Sequence, residues 1–147
     1  MNYLLDTCIL TEFARRKPEP KVIRWIDTID RNSLFTSVIT IGEIQRGVER
    51  MEQSDRKDEL LKWVYNGLVE RLKDHIVPLD TMTLTVWGSL TAWRDNNGKP
   101  LGILESLIAA SALRNNMMIA TRYVEIYRRT GVPVVNPWTF EPGNFYQ

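Results

Sequence analysis

One cysteine, Cys8, and one histidine, His75, are the only thiol and imidazole that this 147-residue chain offers to a metal. The lone thiol excludes an intramolecular disulfide and fits a reducing, cytosolic compartment. A single histidine excludes a multi-histidine zinc site. A Cys8–His75 nucleophile pair is disfavoured because His75 opens an extended segment and reads as a surface residue. No stretch approaches the ~18 consecutive apolar residues that a membrane helix needs. The opening MNYLLDTCILTEFARRK sets an acid inside its apolar run and its basic residues after it, the reverse of a secretory signal. Phosphate-binding glycine loops are missing, since neither G-x-x-x-x-G-K-[ST] nor G-x-G-x-x-G occurs. An aspartyl-phosphate phosphatase would carry a second Asp two residues after Asp6, where Cys8 stands.

Charge of one sign is also lacking: 19 Lys and Arg face 18 Asp and Glu, for a net charge of +1. Global charge therefore gives no nucleic-acid footprint. Two local clusters remain, Arg15, Arg16, Lys17, Lys21 and Arg24 near the start and Arg122, Arg128 and Arg129 near the end. Each is equally readable as a solvated helix face.

Hydrophobic residues at 44% and charged residues at 25% are the balance of a folded globular chain, and its length suits one domain spanning 1–147. Tyr3-Leu4-Leu5 is a short apolar run stopping at Asp6, after which Ile9, Leu10 and Phe13 recur at helical spacing. Pro18 and Pro20 break that helix, and a second runs from Val22 to Ile29 and ends at Arg31-Asn32-Ser33. Leu34 to Ser37 reads as a strand, followed by an amphipathic helix through Ile41, Ile44, Val48 and Met51. A helix over 55–73 carries Leu60, Leu61, Val64, Leu68 and Leu72, before an edge segment at Ile76-Val77-Pro78. Two more helices, one from Leu84 to Arg94 ended by Asn96-Asn97-Gly98 and one through Leu104, Leu107, Ile108 and Ala112, precede strands at 117–120 and 132–135. Trp25, Trp87 and Trp93 are expected in the core. Strands alternating with helices imply a parallel sheet with helices on both faces, an α/β three-layer sandwich.

Three acids stand where such a fold could use them, and each has a structural explanation too. Asp6 follows the first strand, at the end of the sheet where open α/β folds bind ligands, yet Asp6 or Thr7 could simply cap the next helix. Glu43 closes Thr40-Ile41-Gly42-Glu43, which fits the S/T-x-x-E capping box. Glu105 lies near a helix start, where its charge suits the dipole. Gly47 four residues after Glu43, and Ala109 and Ala112 after Glu105, predict open space around both carboxylates. The chemistry that would employ all three is metal-assisted phosphodiester cleavage, because carboxylate oxygens hold hard ions such as Mg²⁺ or Mn²⁺.

In order along the chain, three blocks resemble PIN-domain toxins of the VapC and FitB type. Tyr3-Leu4-Leu5-Asp6-Thr7 resembles their opening, apolar residues followed by Asp-Thr-Asn. Ser37 to Gly47 looks like the second block, in which the Glu is an active-site acid. Gly98 to Ala110 resembles the third, and Ala120-Thr121-Arg122 with Asn136-Pro137-Trp138 the closing blocks. The resemblance implies a PIN fold with a central parallel sheet of about five strands and a homodimer. It also implies dependence on Mg²⁺ (or Mn²⁺), cleavage of cellular RNA, and neutralisation by a cognate VapB- or FitA-like antitoxin through which alone operator DNA is reached. It assigns the metal and catalytic roles to Asp6, Glu43 and Glu105, with Thr7, Thr121 and Glu125 as weaker candidates.

The departures generate a second expectation. Cys8 stands for the usual Asn, Glu105 for Asp, Tyr123 for Asn or Asp, and Ile126 for a further Asp. These changes fit a PIN-fold binding module with weakened catalysis, acting through antitoxin and operator-DNA complexes.

Overall fold

The computed structural model describes residues 1–98 and 100–143. Lys99 of the third block and the last four residues of the chain lie outside them. Five parallel strands, β1 (Asn2–Leu5), β2 (Leu34–Ser37), β3 (Ile76–Val77), β4 (Met117–Ala120) and β5 (Val134–Val135), form one sheet in the order β3-β2-β1-β4-β5. Tyr3 pairs with Leu34 on one side and with Met118 on the other, so β1 is the central strand. Successive side chains of a strand face opposite ways, and both faces of β1 are covered. Leu5 packs with Ile9, Leu10, Trp25, Ile44, Val48 and Leu68 on one face, and Leu4 packs with Val77, Ile108, Ala109, Ile119 and Tyr127 on the other.

The first layer is supplied by α1 (Thr7–Ala14), α2 (Pro20–Asp27), α3 (Val38–Glu49), and α4 (Asp55–Lys62) with the turns that continue it to Leu72. α5 (Glu70–Leu72) is the last of those turns. The opposite layer is α6 (Thr81–Asn97), α7 (Ile103–Arg114) and α8 (Val124–Arg128). α6 lies outside α7, tied to it by Trp87 Nε1 donating to Ser106 Oγ at 2.9 Å. The three-layer α/β sandwich expected from the sequence is thus the architecture observed.

Several local expectations change. The 55–73 segment is not uniform α-helix, because Trp63–Val69 adopts the wider i→i+5 turn of a π-helix. Leu60, Val64, Leu68 and Leu72 recur at a strict interval of four, wider than 3.6 residues, and the wider turn keeps them on one face. Gly67 permits it: a Cβ there would stand 2.8 Å from the Trp63 ring. The second helix stops at Asp27, and Arg31–Ser33 is a separate 3₁₀ turn capped by Asp30. The last strand begins at Val134, because Pro133 has no N–H to donate and only its carbonyl joins the ladder, accepting from Ile119 at 2.9 Å. α8 has no counterpart in the sequence analysis, since five residues are too few to display a helical period. Trp93 is 55% exposed on the outer helix, so the core holds Trp25 but not Trp93.

The capping box at Thr40 is also overturned. α3 begins three residues earlier, capped by Ser37, whose hydroxyl accepts from the Ile39 amide at 3.1 Å. Thr40 lies inside the helix, wholly buried, and its hydroxyl has no hydrogen-bond partner among the described residues. A buried, unpaired hydroxyl costs on the order of 1–3 kcal/mol, and losing a Ser N-cap costs about 1 kcal/mol. Urea unfolding of Thr40→Val should therefore show a gain of about 1 kcal/mol, and of Ser37→Ala a similar loss. A capping box at Thr40 would invert the first result.

Candidate active site

From β1 the chain steps outward to β2 and β3, then crosses back to β4 and β5 on the other side of β1. The connections leaving β1 and β4 therefore part in opposite directions, opening a crevice beyond their carboxyl ends. Asp6 follows β1 and Thr121 follows β4, and the two meet in that crevice. Thr121 Oγ1 donates to Asp6 Oδ2 at 2.8 Å. The Thr7 amide donates to Asp6 Oδ1, also at 2.8 Å, and the Asp6 amide donates to Ala120 O at 3.0 Å. Asp6 is the N-cap of α1, as one explanation of the sequence held, and lines a pocket as well.

That pocket, about 320 Å³, is bounded by Asp6, Thr7, Glu43, Glu105, Tyr123 and Tyr127 among others. It brings together the three acids singled out from the sequence, which arrive from α1, α3 and α7. Thr7 Oγ1 donates to Glu43 Oε1 at 3.4 Å, so one residue touches two of the acids through its amide and hydroxyl. Thr121 is fully buried and receives the Tyr123 amide at 3.0 Å, which fixes the hydroxyl that serves Asp6. Glu125 is not brought to the pocket: it is exposed on α8 and ion-paired with Arg128 at 2.8 Å. Ala109 and Ala112 are wholly buried against the sheet, so close helix packing, and not room for Glu105, accounts for their size. A Cβ at Gly47 would meet nothing within 4 Å, which leaves open space near Glu43 as expected.

Cys8 takes a different part from that of a nucleophile. Its Sγ accepts from the Arg122 amide at 3.4 Å and lies 3.7 Å from Thr121 Oγ1, which anchors the loop after β4. Burial pushes its thiol up from the ordinary value, disfavouring thiolate. His75 is far from it, stacked on Phe35 and bonded through Nδ1 to Leu34 O at the opposite end of β2. In the closing block, Asn136 Oδ1 caps the turn holding Trp138, and the Arg122 guanidinium lies over the Trp138 ring.

Electrostatically the pocket is overloaded with negative charge. Burial raises the Asp6 pKa from its ordinary value and the Glu105 charge adds to this, while hydrogen bonds from Thr121, Thr7 and, more weakly, Tyr127 oppose it. Burial likewise raises Glu43, with the charges of Asp6 and Glu105 adding. No Lys or Arg forms an ion pair with any of the three among the described residues. Tyr127 was not singled out from the sequence; the residue is only 2% exposed, and burial beside these carboxylates keeps its phenol protonated. Its one available signal was position, four residues after Tyr123.

Hard oxygen donors carrying uncompensated charge suit Mg²⁺ or Mn²⁺. As arranged, no three Asp, Glu, His or Cys side chains among the described residues are close enough to clasp one ion together. Mg²⁺ does not demand that, since it keeps several waters and is commonly held through one or two carboxylates. The residues therefore fit a partly hydrated ion held by a subset of Asp6, Glu43 and Glu105.

Comparison with known proteins extends these observations to relatives. The chain is 30% identical to the plasmid stability protein StbB of Pseudomonas syringae pv. tomato, over 92% of this chain and 97% of that protein. It is 27% identical to the VapC ribonuclease Y4jK of Sinorhizobium fredii, over 92% of this chain and 96% of the relative. The structure of FitAB bound to an IR36 DNA fragment contains a chain that superposes with a TM-score of 0.87 at 26% identity, covering 96% of this chain and 99% of the other. The PIN domain itself matches residues 3–130, and the chain belongs to the PIN domain family.

Proposed function

We propose that this chain is the toxin of a type II toxin–antitoxin pair, an endoribonuclease that cleaves cellular RNA with Mg²⁺ or Mn²⁺. The observation that carries this is the convergence of Asp6, Glu43 and Glu105 on one pocket at the sheet's switch point, with no Lys or Arg among the described residues ion-paired to them. Kinship with a chain named as a VapC ribonuclease and one solved in a FitAB–DNA complex supports the same reading. It carries with it a cognate VapB- or FitA-like antitoxin, contact with operator DNA only through that antitoxin, a homodimer, and a cytosolic site of action. Residues 1–147 act in it as a single PIN-like domain.

In this mechanism Asp6 and Glu105 would be the principal ligands of the ion, and Glu43 would act on it through coordinated water. When bound, such an ion lowers the pKa of a coordinated water and offsets charge developing on the phosphate oxygens. The protein's part is preorganisation. The Thr7 amide and Thr121 hydroxyl hold the Asp6 carboxylate in one orientation, and the Thr7 hydroxyl steadies Glu43. Tyr127 contributes a neutral hydrogen-bond donor that burial, reinforced by the surrounding negative charge, keeps protonated. Tyr123 and Ile126, both exposed at the pocket, offer aromatic and apolar surface to an RNA strand.

A second reading is favoured by the lack of a three-ligand cluster among the described residues: a PIN-fold binding module with little catalysis, working through antitoxin and operator-DNA complexes. The double reversion Glu105→Asp and Tyr123→Asn separates the two. A sharp rise in Mn²⁺ affinity and RNA cleavage supports the module, and no rise supports the enzyme.

Three measurements test the primary reading. RNA cleavage with Mg²⁺ or Mn²⁺ should fall to background in Asp6→Asn, and equal activity in both proteins would refute the assignment. Thr121→Val removes an orienting hydroxyl and should weaken Mn²⁺ binding by roughly 10–100-fold, whereas unchanged binding would deny Thr121 that role. The third concerns pH. Asp6 binds its proton more tightly folded than unfolded, so its stabilising contribution is complete below the unfolded carboxylate pKa of about 4 and is lost as pH rises through the raised folded value. The urea midpoint of metal-free protein should therefore decline with rising pH over that window, and more steeply than that of Asp6→Asn. Parallel pH profiles would contradict the buried-charge account.

A further inference from the structure

Glu105 lies in the first turn of α7, three residues after Gly102, the N-cap residue of that helix. Its carboxyl group turns back over Gly102. A Cβ built at position 102 would stand 3.1 Å from Glu105 Cδ and 3.7 Å from Oε1, and would overlap Oε2 outright. The backbone does not demand glycine: φ −57° and ψ 148° are open to every residue. Nor does helix capping, since Ser, Thr, Asp or Asn would cap with a side-chain hydrogen bond that this N-cap does not supply. What glycine alone provides at this position is room, and the group occupying that room is one of the pocket's three acids.

The location also suits the charge. α7 is 12 residues long, and the unpaired amides of its first turn favour a negative group nearby. A glutamate has three side-chain torsions to settle, and ordering so flexible a side chain carries an entropic cost. A cleft over Gly102 that accepts the carboxyl group restricts where the charge goes and takes up the length of the side chain.

We propose that Gly102 is a positioning residue for Glu105: the missing side chain at 102 forms the cradle that sets the Glu105 carboxylate on the rim of the acid pocket. As a statement about metal binding this rests on the metal-site function proposed above. As a statement about side-chain placement it does not. The pairing is specific, because an aspartate at 105 is one methylene shorter and would not need the space over residue 102. Gly102→Ala should leave the fold intact with a modest loss of thermal stability, because alanine is a poorer N-cap than glycine, while the atoms in the way belong to the far end of a flexible side chain that can swing aside.

The test is a double-mutant cycle of G102A, E105D and the doubly substituted protein against wild type. It is read by Mn²⁺ affinity from EPR titration, with thermal melting as the check on folding and a metal-free crystal structure of G102A alongside. G102A is expected to weaken Mn²⁺ about tenfold or more in the Glu105 background, and by less than about twofold in the E105D background, a non-additivity diagnostic of direct coupling. Equal losses in both backgrounds would overturn the proposal by showing that alanine acts through the helix start. Unchanged affinity in G102A would overturn it as well. If wild type itself binds no Mn²⁺, the metal-site function fails on its own, and the G102A crystal structure decides the cradle. A Glu105 carboxyl group displaced from its wild-type position supports it, and an unmoved carboxyl group overturns it.

Discussion

The hydrogen bond from Thr121 to Asp6 joins two strands at the one place where the sheet's connections diverge, and the rest of the pocket is arranged around it. It requires β1 and β4 to be neighbours in register, which Leu5 opposite Ala120 provides. It also requires the chain after β4 to turn sharply, which the Tyr123 amide on Thr121 and the Arg122 amide on Cys8 secure. Cys8 therefore participates in the geometry of Asp6 without chemistry of its own. Substituting it is a change to the support of the site, not to its donors.

Around that bond the protein gathers negative charge that no ion pair among the described residues neutralises. Burial makes Asp6 and Glu43 harder to ionise, and the charge of Glu105 adds to the effect at both, with that of Asp6 adding at Glu43. Such an arrangement opposes folding at neutral pH and is the kind of local cost that functional sites carry. A bound cation would convert the cost into binding energy, because the same repulsion that burdens the free protein favours a divalent ion. Thr7, Thr121 and Tyr127 supply the hydrogen bonds that keep the acids in place meanwhile, and none of these groups brings a positive charge.

Much of the architecture was legible because long-range order follows from short periodic signals. Alternation of strand and helix implied the parallel sheet, and Leu4 and Leu5, adjacent apolar residues in one strand, imply cover on both faces. Asp6, Glu43 and Glu105 were legible as acids next to strand ends and helix starts, although their convergence is a tertiary fact that no spacing encodes. Three features were not legible. Ser37, not Thr40, caps α3, since both residues satisfy the capping preference and only packing decides between them. α8 is too short to show a period, and Tyr127 was hidden with it. Gly102 carries no signal of its own in the third block, because what it makes room for is the side chain of a residue already assigned to the site.

The central claim is that the acids of this pocket share a divalent ion. Anomalous diffraction from crystals soaked in Mn²⁺ tests it most directly. The account predicts a single strong peak within about 2.0–2.6 Å of carboxylate oxygens of both Asp6 and Glu105. No peak in the pocket, or a peak held only by other groups, would contradict it.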